Sequence, residues 1–321
     1  RYVMIPREWE RDLVGLQFDG VMMHTSIDVN GCKVGEHHYG YSPFYVDLTD
    51  YVTFGEENRI TINVNTGAQP SSRWYTGSGL FRGVTLCHSP RVFILPDGIN
   101  VVTREVTDQI AFLEAQVEIG NETLENHMVE VKVELWKEGE PEEKAVGEAR
   151  RMIEVGKNNR ETARISIHLS DPVLWDAENP NLYIVKATVT DQSVFRTHSN
   201  PVPIQTVDEA QTLFGIRTIT VDSVRGLRIN GKPVKLKGGC VHHDNGLLGA
   251  VSLYECEERK IRKLKETGFN AVRTAHNPPS GALVEACDRL GMYIFDEAFD
   301  AWGMAKRTGD YSQYFAALWE K

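Results

Sequence analysis

Cysteine is scarce in this 321-residue chain: five are present, and Cys32, Cys87, Cys240, Cys256 and Cys287 stand far apart without CxxC spacing. An odd, scattered set signals neither a disulfide framework nor a thiolate zinc site, so a reducing, cytoplasmic setting is expected. Long apolar runs are missing too. No stretch reaches the roughly 18 consecutive apolar residues of a membrane-spanning helix. Positive charge is in deficit, with 35 Lys and Arg against 45 Asp and Glu for a net charge of -10. No basic cluster offsets that balance, which argues against a nucleic-acid partner. A phosphate loop is absent as well, since the "GGC" at 238–240 lacks the Walker and dinucleotide spacings. The one sequon, Asn121-Glu122-Thr123, carries meaning only in a secretory pathway.

What the chain has in quantity is alternation. Val129, Val131, Val133 and Leu135 interleave with Glu130, Lys132 and Glu134, and Ile165, Ile167 and Leu169 follow the same rule. A period of two places the apolar residues on one face of a strand. Such runs, broken by Gly, Asn, Asp and Pro, continue to about residue 236 and point to antiparallel sandwiches. The length exceeds one sandwich of about 100 residues, so two in tandem are expected. "FRGVTLCHSPRVFILPDG" (81–98) reads as a closing strand, a link near Ser89-Pro90 and a fresh strand. The polar segment 137–161 reads as an extended hairpin region on a solvated face.

After residue 236 the pattern becomes strand, helix, strand, helix, strand. "VKLKGGC", "FNAVRT" and "MYIFDE" are short and apolar, as parallel strands covered by helices must be. Ser252 and Glu255 have capping-box spacing for the first helix, and Gly268 offers it a left-handed stop. Ser280 caps the second helix, which carries Leu283, Cys287 and Leu290 on one face and stops at Gly291.

Each of these strands ends in chemically capable residues. His242, His243 and Asp244 follow the first; Arg273, His276 and Asn277 follow the second; Asp296, Glu297 and Asp300 follow the third. Ligands of α/β folds bind at the carboxyl ends of parallel strands, and three such clusters in succession make a site. Histidines, an arginine, an asparagine and carboxylates, with Trp302 and Tyr254 nearby, suit a neutral, hydroxyl-rich ligand: polar forks meet vicinal hydroxyls and a ring covers a sugar's C–H face. His242, Asp244 and His276 are also conceivable metal ligands, but no HExxH or HxH pattern supports a metal or other cofactor.

These residues resemble a known family. "RINGKPVKLKGGCVHHDNGLLGA", "FNAVRTAHNPPS" and "LGMYIFDEAFDAWG" look like the first three barrel strands of glycoside hydrolase family 2. "SSRWYTGSGLFRGVTL" resembles that family's hallmark ahead of the barrel, "DVNGCKVGEHHYGYSPFYVDLTD" its jelly-roll strands, and "LWDAENPNLY" its Ig-like middle domain. The resemblance implies a multidomain β plus α/β chain. A jelly-roll β-sandwich takes 1–89, an Ig-like β-sandwich 90–215, and the first three βα units of a TIM (β/α)8 barrel 216–321. The Arg-Trp-Tyr form of the hallmark resembles β-galactosidases more than glucuronidases or mannosidases.

The resemblance further implies site roles. His242 and His276 would contact the sugar hydroxyls in the −1 subsite, with His276 donating in the transition state. Arg273 would orient neighbouring carboxylates. The loop of Ser72, Arg73 and Trp74 would touch the sugar's non-reducing end, and Asp244, Asn277 and Trp302 complete the expected substrate-binding set. Position alone makes Glu297 a tempting general acid, whereas the resemblance assigns Glu297 and Asp300 to support behind the site. Some family members place a carboxylate and a histidine for a metal after the third strand; here Asp300 is followed by Trp302, so no metal is expected. The family's acid/base and nucleophile are glutamates on the fourth and seventh barrel strands. The stretch 1–321 is therefore expected to be part of a retaining exo-β-galactosidase, clipped at its start, inactive alone, and a possible homo-oligomer when whole. Alternatives are a β-glucuronidase or other family 2 glycosidase, and an array of non-catalytic carbohydrate-binding modules, against which the three βα units speak.

Overall fold

The structure, a computed structural model, describes residues 1–67, 72–139, 145–193 and 206–319. The chain divides into two compact units, Ser89–Lys235 and the combination of Arg1–His88 with Leu236–Lys321.

The unit Ser89–Lys235 is an antiparallel sandwich. One sheet orders Val92–Val106, Ile110–Asn121 and Asn159–Ser170; the other orders Gly147–Val155, His127–Lys137, Tyr183–Asp191 and Thr206–Phe214. Three strands on four is the Ig-like arrangement. Val129, Val131, Val133 and Leu135 are fully buried, and they meet Leu113, Ala115, Val117, Ile165 and Ile167 from the facing sheet in one core. Each such side chain contributes about 1.5–3 kcal/mol by leaving water, so the alternation alone fixes which face turns inward. Of the polar segment 137–161, residues 140–144 lie outside the described residues. The rest forms two strands in opposite sheets, so Gly147–Val155 is a hairpin partner of His127–Lys137 and not of the strand that follows it. The short strands Ile219–Asp222, Gly226–Ile229 and Lys232–Pro233 also fall within this unit. Their tight link uses Asn230 and Gly231, both at positive φ (53° and 73°), the requirement of a two-residue hairpin turn.

In the other unit the N-terminal segment forms the jelly-roll sandwich. A four-stranded antiparallel sheet orders Tyr2–Ile5, Glu56–Val64, Thr25–Val29 and Cys32–His37; a second orders Phe44–Asp47, Leu13–Phe18 and Val84–Ser89. Leu16, Phe18, Ile27, Val29, Val46 and Ile60 fill the space between them.

The strands Gly238–Val241, Ala271–Thr274 and Tyr293–Phe295 pair in parallel, with Gly238 opposite Ala271 and Ala271 opposite Tyr293. Gly238 is required by its neighbour: a β-carbon there would stand 2.0 Å from the Ala271 carbonyl oxygen. The helices Tyr254–Glu266 and Gly281–Leu290 cross over between the strands and bury Ile261, Leu283, Ala286 and Cys287 against Val272 and Met292. Ser280 caps the second helix by accepting from the Leu283 amide, and Gly291 closes it in the left-handed conformation. The capping box at the first helix does not form. Its N-cap is Leu253, without a side-chain cap, because the Ser252 hydroxyl turns to Glu257 at 2.8 Å and Ser280 at 2.6 Å. Donating to the buried Glu257 carboxylate, a charge-assisted bond, orients the Ser252 side chain toward that group. No helix among the described residues is long and apolar enough to cross a membrane.

A further core joins the jelly roll to the loops beyond the parallel strands. Met22, Tyr39, Tyr41 and Phe81 pack with Ala250, Ala301 and Tyr311.

Candidate functional site

The second strand delivers Arg273 to the rim, where its Nε donates to Glu297 Oε1 at 2.6 Å and Nη1 reaches Cys240 Sγ at 3.4 Å. Arg273 Nη2 lies against the same Glu297 oxygen. The other carboxylate oxygen, Oε2, is 3.0 Å from His276 Nδ1. The backbone amide of Glu297 donates to Thr274 Oγ1 at 3.2 Å, and that hydroxyl donates to Asp296 Oδ1 at 2.9 Å. Burial raises the Glu297 carboxyl, but the bonds from Arg273 and His276 outweigh it and hold the group below the usual carboxylate range. Glu297 is an ionised clamp, which is the reverse of a general acid tuned upward for proton donation.

Three rings converge beside that clamp. Trp74 lies 5.1 Å from the ring of His276 and 5.9 Å from that of His242, and the two histidine rings are 5.6 Å apart. Trp74 belongs to the jelly-roll loop, which several bonds pin to the segment after the third strand. Arg73 Nη2 donates to Asp300 Oδ1 at 2.7 Å, Lys306 Nζ reaches the same oxygen at 2.9 Å, and Arg307 donates to the Ser72 carbonyl at 2.9 Å. The indole Nε1 donates to the Tyr41 hydroxyl at 3.1 Å. Burial lowers the His242 ring below its ordinary value, and His276 adds to the effect.

Behind the rings, His243 stacks on Tyr41 with centroids 4.7 Å apart and its Nδ1 lies 3.4 Å from the Arg82 guanidinium. Burial, with smaller repulsions from Arg82, Lys260 and His242, pushes this imidazole down to about 3. Arg82 is only 8% exposed, and it donates to the carbonyls of Tyr41 at 2.7 Å, Pro278 at 2.9 Å and Asp19 at 3.2 Å. Burial pulls it down to about 10, so it keeps its charge at neutral pH. One buried cation thus ties the hallmark segment to the loops after the first and second barrel strands.

A cleft of about 1150 Å³ opens at this rim. Arg73, Arg273, His276, Glu297, Asp300 and Lys306 form its polar side, and Phe299, Trp302, Phe315 and Trp319 its apolar side. Of the residues expected from sequence, Arg73, Arg273, His276, Trp302, Glu297 and Asp300 line the cleft, and Trp74 and His242 stand against His276. Trp302 is 66% exposed and available to a ligand's face.

Two expectations are displaced. Asn277 is completely buried, and its side-chain carbonyl accepts from Tyr39 at 2.7 Å and Tyr311 at 3.2 Å, so it sits behind the wall and is closed to a ligand. Asp244 is exposed, but its Oδ1 accepts from the Gly246 amide at 2.9 Å in a turn and it does not line the cleft. Among the described residues no group of three or more His, Cys, Asp or Glu is placed to hold a metal ion. The residues missed from sequence are Tyr39, Tyr41, Arg82, Lys306 and Tyr311; His243, named with the rim, lies behind it, against Tyr41 and Arg82. Arg82 alone carried a signal, as the last residue of the hallmark "GLFR".

Comparison with known proteins decides the family. Residues 1–90 match the sugar binding domain of glycosyl hydrolases family 2, residues 97–217 match its middle domain, described as glycosyl hydrolases family 2, and residues 220–318 match its TIM barrel domain. The chain belongs to glycosyl hydrolase family 2. It is 35% identical over 301 residues to a β-galactosidase of Bacteroides ovatus, covering 94% of this chain and 34% of that protein. It is 30% identical over 308 residues to a protein of Formosa agariphila named a putative β-glucuronidase, covering 95% of this chain and 27% of the relative. A crystal structure of a family 2 member from Bacteroides cellulosilyticus superposes with a TM-score of 0.92 at 36% identity, covering 100% of this chain and 39% of that one. The chain thus spans about a third of the length of these family members.

Proposed function

We propose that the protein is a retaining exo-glycosidase that releases terminal β-D-galactosyl residues, and that this chain supplies the wall that grips the sugar. The observation that carries the reading is the set Trp74, His242 and His276, held together at the carboxyl rim of the parallel strands. An indole face and two imidazoles are the groups that recognise a C–H face and vicinal hydroxyls. A retaining mechanism uses two carboxyls about 5–5.5 Å apart. Glu297 is unsuited to the acid/base role, because Arg273 and His276 bind both its oxygens and favour the ionised form. The family resemblance assigns that chemistry to glutamates on the fourth and seventh barrel strands.

The names of the relatives divide between galactosides and glucuronides, and charge supports the first. A uronate carboxylate calls for a cation to receive it. The cations lining the cleft are already paired: Arg73 and Lys306 with Asp300, and Arg273 with Glu297. With Asp296 also on the lining, three cations face three carboxylates, and the surface suits a neutral sugar.

The test is a comparison of nitrophenyl β-D-galactoside, β-D-glucuronide and β-D-mannoside as substrates of the intact protein, with the first-formed anomer read by NMR. Fastest turnover of the galactoside with release of β-galactose is expected. A preference for the glucuronide would move the substrate reading, and galactose binding with no turnover of any substrate would favour a binding module.

A further inference from the structure

We propose that Glu297 is a positioning residue that sets the tautomer of His276, so that the neutral ring keeps its proton on Nδ1 and takes a hydroxyl hydrogen of the ligand at Nε2. The identity of the ligand rests on the galactoside reading above; the tautomer does not.

The geometry has one consistent proton assignment. An ionised carboxylate accepts and cannot donate. Both Glu297 oxygens are engaged as acceptors, Oε1 by Arg273 and Oε2 by His276 Nδ1 at 3.0 Å. Nδ1 must therefore carry a hydrogen. In a neutral imidazole one nitrogen donates and the other accepts, so Nε2 holds a lone pair. Among the described residues Nε2 has no hydrogen-bond partner, and the ring lines the cleft between Trp74 and Glu297. From sequence His276 is expected to donate to the sugar. The Glu297 contact reverses that direction for the neutral ring: the sugar hydroxyl donates and His276 accepts.

Arg273 makes the arrangement testable. Its Nε and Nη2 both present hydrogens to Oε1, so in Glu297→Gln the amide must place its carbonyl oxygen there and its NH2 toward His276. An NH2 group donates to Nδ1, which then loses its hydrogen to Nε2. The variant is nearly isosteric, and it inverts the tautomer without removing a contact.

Two measurements follow. In the ligand-free chain labelled with ¹⁵N-histidine, the His276 resonances, assigned by their loss in His276→Gln, are expected to be of the protonated type at Nδ1 and the unprotonated type at Nε2 at alkaline pH. They are expected to exchange in Glu297→Gln and to stay unchanged in Glu297→Asp, which keeps the carboxylate. A protonated Nε2 in the native chain overturns the proposal outright, whether or not the variants fold.

The second measurement is binding of methyl β-D-galactoside and its monodeoxy and monofluoro analogues to the intact protein. The relevant hydroxyl is the one whose removal costs nothing further in His276→Ala. At that position fluorine accepts but cannot donate, so the deoxy and fluoro analogues are expected to lose affinity equally, by roughly three- to tenfold, the size of one neutral hydrogen bond. In Glu297→Gln the fluoro analogue is expected to bind better than the deoxy. Better binding of the fluoro analogue to the native protein overturns the assignment of Nε2 as acceptor. Failure of every galactoside to bind would count against the galactoside reading, and the NMR result would still decide the tautomer.

Discussion

Tyr39 and Asn277 are 238 positions apart in the chain, yet the Tyr39 hydroxyl donates to the Asn277 side-chain carbonyl at 2.7 Å in a buried contact. Tyr311 adds a second hydroxyl to the same oxygen at 3.2 Å and itself receives the Ala301 amide at 3.0 Å. The jelly roll, the loop after the second barrel strand and the segment after the third are thereby joined at one amide. A buried acceptor that loses its donor costs about 1–3 kcal/mol. Tyr39→Phe is accordingly expected to lower stability by about 1 kcal/mol, read as a shift of the urea midpoint, and Asn277→Ala by more. No shift in either variant would show that the amide is not a junction.

The Arg73–Asp300 pair is expected to act on binding more than on stability. Arg73 is about half exposed, and an ion pair with an exposed partner contributes under about 1 kcal/mol to folding. Its consequence is the placement of Trp74, the next residue. Arg73→Ala and Asp300→Ala are each expected to weaken galactoside binding by roughly three- to tenfold, with losses that do not add in the double variant, as befits partners in one contact. Additive losses, measured by calorimetry, would show that the two residues act separately.

His243 gives stability a pH dependence whose sign is fixed. Its folded value is about 3, mainly through burial, against an ordinary value near 6.5 in the unfolded chain. Between these values the unfolded state binds a proton that the folded state refuses, so stability is full above about pH 6.5 and declines as the pH falls toward 3. His243→Phe preserves a ring against Tyr41 and removes the titration. The melting temperature of the native protein is expected to fall more steeply than that of the variant between pH 6.5 and pH 4. Parallel pH profiles would place the acid sensitivity elsewhere.

Much of this was legible in the sequence wherever the signal was local. The alternation at Val129–Leu135 named the buried face, and polar residues after three apolar strands located the rim. The misreadings were of partners that sequence spacing cannot show. Ser252 had the spacing of a cap, but a buried carboxylate two residues beyond the expected partner, on the helix's inner face, claimed its hydroxyl. Asn277 looked like a site residue because it follows His276. Only the arrival of Tyr39 from the jelly roll shows that it faces inward. The role of Arg82 was hidden for the same reason, since its three carbonyl partners come from Asp19, Tyr41 and Pro278.

The most direct measurement takes kinetics and a thermal melt on the same preparation of His276→Ala in the intact protein. If His276 grips the sugar as the transition state forms, kcat and kcat/KM for a β-galactoside fall together by roughly 10²–10³-fold, the loss attached to one preorganised transition-state hydrogen bond. The melting temperature is expected to change little, because the ring lines an open cleft and leaves the apolar cores intact. A lowered melting temperature with normal kcat in the folded fraction would contradict the account and make His276 a packing residue.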